Sequence, residues 1–148
     1  MKTFVISDTH FSHRNIIEYC SRPFPLVQEM DETMIRNWNN VVSDDDLVYH
    51  VGDFGLTRHY SYLINIMRRL NGKIILLRGN HDDKKFLKTA YDIFGPLDKL
   101  RIYDKMVCLL PKSENLLLSH YPSDVEFNQY TNSLPMFYPN QKINLVGS

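Results

Sequence analysis

The sequence predicts an α+β fold with α/β-type layers, on three observations. Short β-rich runs alternate with longer stretches of helical period. The run from Lys73 to Leu77 is apolar at every position after its first, the pattern of a strand buried on both faces. Beyond Leu97 the chain reads as antiparallel, with two runs separated by a single turn. At 148 residues it suits one domain over 1–148, with a core that buries about two thirds of the unfolded surface.

The elements follow in order. Phe4-Val5-Ile6 is the first strand. Helical stretches run from Arg14 to Tyr19 and from Asp31 to about Val42. The second opens on Asp31 as an acidic first-turn residue and spaces Met34, Ile35 and Trp38 at helical period. Asp44-Asp45-Asp46 is a turn, and Leu47 to Val51 is the second strand. Tyr60 to Leu70 is an amphipathic helix with Leu63, Ile66, Met67 and Leu70 on one stripe, ended by Asn71-Gly72. After the Lys73 to Leu77 strand, Leu97 to Tyr103 and Lys105 to Leu110 are expected to form a hairpin around Asp104. Asn115 to Leu118 gives another strand. Tyr121 to Gln141, with prolines at 122, 135 and 139, reads as a functional loop or lid, and Lys142 to Val146 as a last strand.

Seventeen basic residues balance seventeen acidic ones, so no global field gathers nucleic acid or an anionic membrane. Affinity for phosphate has to come from a local site. Cys20 and Cys108 share no motif spacing, which fits a reducing cytoplasm better than a disulfide framework. The apolar part of the amino terminus is too short for a signal peptide and meets Asp8 and His10 at once. No apolar run approaches the ~20 residues of a membrane span.

The informative pattern lies at the carboxyl end of each strand. The first runs into Ser7-Asp8-Thr9-His10, the second into Gly52-Asp53-Phe54-Gly55. The third runs into Arg78-Gly79-Asn80-His81-Asp82, and the fourth into Ser119-His120-Tyr121-Pro122. Ligands gather beyond the carboxyl ends of strands in sheets of this kind. Alone, each residue reads as a turn, a cap or a half-exposed histidine. Together they deliver carboxylate, imidazole and carboxamide groups to one edge. Aspartate oxygens with neutral imidazoles suit manganese, iron or zinc, whereas calcium favours all-oxygen sites. Asp8 and His10, two apart, can hold one ion; Asp53 can bridge, and Asn80 and His120 can hold a second. Two ions about 3.5–4 Å apart would activate a shared water and neutralise phosphate oxygens.

Asp8-x-His10, Gly52-Asp53, Gly79-Asn80-His81-Asp82 and Ser119-His120 match, in order, signature blocks of the calcineurin-like metallophosphoesterases. Asp8 to His13, with Tyr49 to Phe54, also resembles the small bacterial and phage members. The resemblance implies a four-layer αββα sandwich of two mixed sheets flanked by helices. It implies two divalent ions (manganese, iron or zinc, with magnesium or nickel as further options) on Asp8, His10, Asp53, Asn80 and His120. It further implies His81 as the group that contacts the phosphoryl or protonates the leaving oxygen, oriented by Asp82. The chain departs from the pattern at its end. The family's Gly-His-x-His block is reached only as Val146-Gly147-Ser148, so the domain reads as incomplete there, with its last strand missing and metal occupancy weak or partial.

His13 reads either as a lining of the phosphate pocket or as a helix cap, and Arg78 either as a substrate contact or as a counter-charge to an aspartate. His50 reads as a packed, hydrogen-bonded residue and His59 as solvated. Tyr130, Phe137 and Tyr138 read as loop anchors. The expected function is metal-dependent hydrolysis of a phosphomonoester or phosphodiester, on a small molecule or nucleotide, without tight nonspecific nucleic-acid binding. The alternative is a non-catalytic scaffold of the same fold that binds a protein, which need not keep His81 and Asp82.

Overall fold

The computed structural model describes residues 1–79 and 81–103 and, beyond them, the backbones of three strands. The elements are β1 (Thr3–Ile6), α1 (Ile16–Tyr19), α2 (Val27–Val41), β2 (Leu47–His50), α3 (Tyr60–Arg69) and β3 (Lys73–Leu77). They continue as α4 (Lys84–Phe94), β4 (Leu100–Tyr103), β5 (Met106–Leu109), β6 (Leu116–Ser119) and β7 (Ile143–Leu145). Five strands form a parallel sheet in the order β4-β3-β2-β1-β7. β5 and β6 make a separate antiparallel pair, with Met106 opposite Ser119. Helices alternating with a parallel sheet are the α/β arrangement that the sequence predicts.

Two local expectations are corrected. The expected hairpin pairing of β4 with β5 is not seen among the described residues: β4 lies parallel to β3, with Leu76 opposite Ile102, and β5 pairs with β6. The reason is α4, whose buried Phe86, Leu87, Ala90 and Phe94 line one stripe and carry the chain back across the sheet. The second helix begins at Val27, not at Asp31, and Leu26 precedes it without a side-chain cap. Asp31 is therefore an interior helical residue, 1 % exposed, and its carboxylate accepts the Ser12 N–H at 2.9 Å and the Ser12 hydroxyl at 3.1 Å.

In a parallel ladder, residues in register share a face. Phe4, Val48, Ile74 and Leu100 stand side by side and bury against Ile35 and Trp38 of α2, Leu63 and Met67 of α3, and Phe86 and Ala90 of α4. Leu47, Tyr49, Ile75 and Leu77 point to the other face and are buried as well. Burying each such side chain contributes about 1.5–3 kcal/mol. This doubly buried sheet fixes where its carboxyl-terminal edge stands. No helix among the described residues is long and apolar enough to cross a membrane.

Candidate metal centre

The site grows out of the ladder between β1 and β2, which does not stop where the strands stop. Val51 N–H donates to the Ile6 carbonyl, Asp8 N–H to Gly52, His10 N–H to Asp53 and Phe11 N–H to Phe54, at 2.7–3.0 Å. Gly52 enters this stretch at φ 99°, where a side chain would be strained. Four residues of the two loops adopt the left-handed region despite having side chains: Asp8, His10, Ser12 and Asp53, at φ 52–58°. Such residues cost on the order of 1 kcal/mol or more each, and they persist only where surrounding contacts over-determine them.

The side chains of these loops converge. His10 Nε2 lies 3.8 Å from Asp8 Oδ1 and 3.7 Å from Asp53 Oδ2. His81 joins from the loop after β3: its N–H donates to Asp53 Oδ1 at 2.9 Å, and its Nδ1 meets Asp53 Oδ2 at 3.2 Å. His13 folds back so that its Nδ1 stands 3.0 Å from His10 Nδ1. The rings of His10, His13 and His81 form a triangle with centroids 5.1–5.4 Å apart. His10, His13 and Asp53 are buried, whereas the side chain of His81 is 40 % exposed.

The support beneath these groups is polar and almost fully paired. Asp82, 3 % exposed, accepts the N–H groups of Asp53 and Gly79 on Oδ2 and of Phe54 on Oδ1, at 2.8–2.9 Å. Burial pushes its carboxyl above the usual range, and the three N–H groups pull it back. Gly79 is obligatory, because a Cβ there would come within 2.3 Å of both N and Oδ1 of Asp53. Arg22 clamps the first loop from outside, donating to the carbonyls of Asp8 and Thr9 at 2.7 Å. His50, fully buried, accepts Gly52 N–H on Nδ1, so its proton sits on Nε2 and is donated to Thr9 Oγ1. The Thr9 hydroxyl then donates to the Phe54 carbonyl.

The structure thus brings together Asp8, His10, Asp53, His81 and His13 from the set expected from sequence. Asn80 and His120 lie outside the described residues, as do the side chains of Tyr130, Phe137 and Tyr138. Arg78 stands half-buried at the end of β3, its N–H extending the ladder to Tyr103. Asp82 corrects the expectation placed on it: its oxygens are spent on backbone N–H groups, and the ring of His81 is held by Asp53 instead. An acid adjacent in sequence to a histidine looks like its partner, yet successive side chains diverge. Sequence reading missed Arg22 and the role of Asp31, because both act on backbone groups and leave no motif.

Ligand atoms bound about 2.1 Å from one ion stand roughly 3–3.5 Å apart. One atom from each of His10, Asp53 and His81 lies within 4.8 Å of the others, with Asp53 Oδ2 3.7 Å from His10 Nε2 and 3.2 Å from His81 Nδ1. Burial pushes the imidazoles of His10 and His13 below their ordinary value, which favours the neutral form with a lone pair to offer. The residues present fit a divalent ion. His81 enters this geometric cluster, although the resemblance assigned it to the substrate rather than to the metal.

Comparison with known proteins now carries the same conclusion. The chain belongs to the calcineurin-like phosphoesterase family, whose model matches residues 1–141. It is 52 % identical over 94 residues to an uncharacterized protein of Methanocaldococcus jannaschii, covering 62 % of this chain and 53 % of that one. It is 32 % identical over 82 residues to the Gene 66 protein of Mycobacterium phage L5, covering 54 % and 39 %. A solved structure, a protein of unknown function from Aquifex aeolicus, superposes with a TM-score of 0.65 at 30 % identity, covering 88 % of this chain and 66 % of the other. The matches span about half or less of the two curated relatives.

Proposed function

We propose that this domain hydrolyses a phosphomonoester or phosphodiester, a small molecule or nucleotide, with the help of two divalent ions. The observation that carries the reading is the convergence of His10, Asp53 and His81 in a chain of this family, with Asp8 beside them. Asp8, His10 and Asp53 would hold one ion, with Asp53 shared and Asn80 and His120 serving the second. Such ions supply an activated water and charge neutralisation at the phosphoryl oxygens. Aspartate with imidazole favours manganese, iron or zinc. His81, half-exposed and braced by Asp53, would hold or deliver a proton to a leaving oxygen. A free, exposed Cys20 supports a reducing compartment such as the cytoplasm.

The test is hydrolysis of p-nitrophenyl and bis-p-nitrophenyl phosphate with added manganese, alongside metal content after dialysis. Activity is expected to require the metal and to vanish with the bound ion in Asp53→Asn. His81→Ala should retain part of the metal while kcat falls by about 100-fold or more. Bound metal without turnover on either ester, across manganese, iron and zinc, would sink the enzyme reading and favour the scaffold.

A further inference from the structure

We propose that His13 is a positioning residue: its Nδ1 accepts a hydrogen bond from His10 Nδ1–H and so leaves the lone pair of His10 Nε2 facing the ion. The inference rests on the metal-dependent reading above. Two ring nitrogens 3.0 Å apart share one proton, and the direction of sharing decides what His10 can do. If His13 donates, neutral His10 carries its proton on Nε2, the atom that faces Asp8 and Asp53, and no lone pair is left there. If His10 donates, Nε2 is bare on that side and His13 becomes the Nε2–H tautomer. Only the second arrangement lets His10 ligate an ion between the carboxylates.

The pairing is built into the backbone as well. His13 N–H donates to the His10 carbonyl at 3.1 Å, so one turn fixes both rings. Ser12, between them, is held in its left-handed conformation by the buried carboxylate of Asp31. His13 is 8 % exposed, which leaves little room for water to replace it as the acceptor. The partner that fixes a ligand's tautomer typically matters about 10–100-fold in metal affinity.

Three substitutions separate acceptor chemistry from bulk. His13→Asn sets an amide oxygen near the Nδ1 position, His13→Gln sets its amide near Nε2, and His13→Leu offers no acceptor. Manganese binding is measured on each without any phosphoester present, by the electron-paramagnetic signal of the free ion. The expected result is a loss of about 10–100-fold in affinity for Gln and Leu, with Asn close to wild type. In the zinc-loaded protein, nitrogen-15 shifts should place the His10 proton on Nδ1 and the His13 proton on Nε2. Equal affinity in all three variants, Asn as poor as Leu, or a His10 proton on Nε2 would overturn the proposal. A wild-type chain that takes up no ion would overturn it together with the metal reading, whereas a bound ion without turnover overturns only the latter's hydrolytic step.

Discussion

The interior of the sheet and its carboxyl-terminal rim obey opposite rules within a few ångströms of each other. In the interior, β1 to β4 are ordinary extended strands in unbroken parallel register, filled mainly with apolar side chains. At the rim, the same chain turns left-handed at Asp8, His10, Ser12 and Asp53 and buries polar groups. The interior is stable because many interchangeable contacts agree. The rim is stable because a few irreplaceable ones, centred on Asp82, Gly79 and Arg22, over-determine it. Strain is tolerated where the interior supplies a surplus.

Substitutions can set the two regions against each other. The largest effect is expected at Asp82→Ala, which strands three buried N–H groups and should cost about 3–5 kcal/mol in urea denaturation. Metal affinity of the folded fraction should fall with it, because Asp53 loses its backbone anchor. Leu76→Ala, in the fully buried interior, should cost about 2–5 kcal/mol yet leave metal affinity per folded molecule unchanged. If both variants lose metal in proportion to stability, the contrast between the regions is wrong. Gly79→Ala comes next, at about 1–3 kcal/mol from overpacking, with a disproportionate loss of metal through the displaced Asp53 carboxylate.

The smallest effect is one of pH. Burial holds the Asp31 carboxyl above its ordinary 3.8, so its folded form retains the proton more readily than the unfolded chain. Its contribution to stability is complete below that value and is lost as pH rises through the raised one. Asparagine can accept the Ser12 N–H on Oδ1 and donate from Nδ2 to the Ser12 hydroxyl oxygen, without a charge. The denaturation midpoint of Asp31→Asn should therefore gain on wild type as pH rises from 3.8 toward neutrality. A difference that stays flat over that range would show that the buried carboxylate is not strained by its surroundings.

Sequence reading recovered the groups at the rim better than their interactions. Asp8, His10, Asp53 and His81 were legible because each follows a strand, and a parallel sheet delivers all strand ends to one edge. β4 was misread because nearness in the chain suggested a hairpin, while the apolar stripe of Phe86, Leu87, Ala90 and Phe94 already announced a crossover. Asp31 was misread because an acidic residue at a plausible helix start imitates a first turn. The backbone contacts of Asp82 and Arg22 lay beyond reach for a different reason. Their partners are peptide groups, which every residue has, so no pattern of side chains marks those contacts.

The ladder that runs past the ends of β1 and β2 has a mechanical consequence. Because Asp8, His10 and Phe11 are stitched to Gly52, Asp53 and Phe54, the two carboxylates and the imidazole do not ride on independent loops. Neither loop can breathe alone without breaking bonds to the other. Their amide protons should accordingly exchange with deuterium as one slow set, on the timescale of the sheet itself. Groups mounted this way keep one shape relative to each other, and within the cluster it is the half-exposed ring of His81 that has room to adjust.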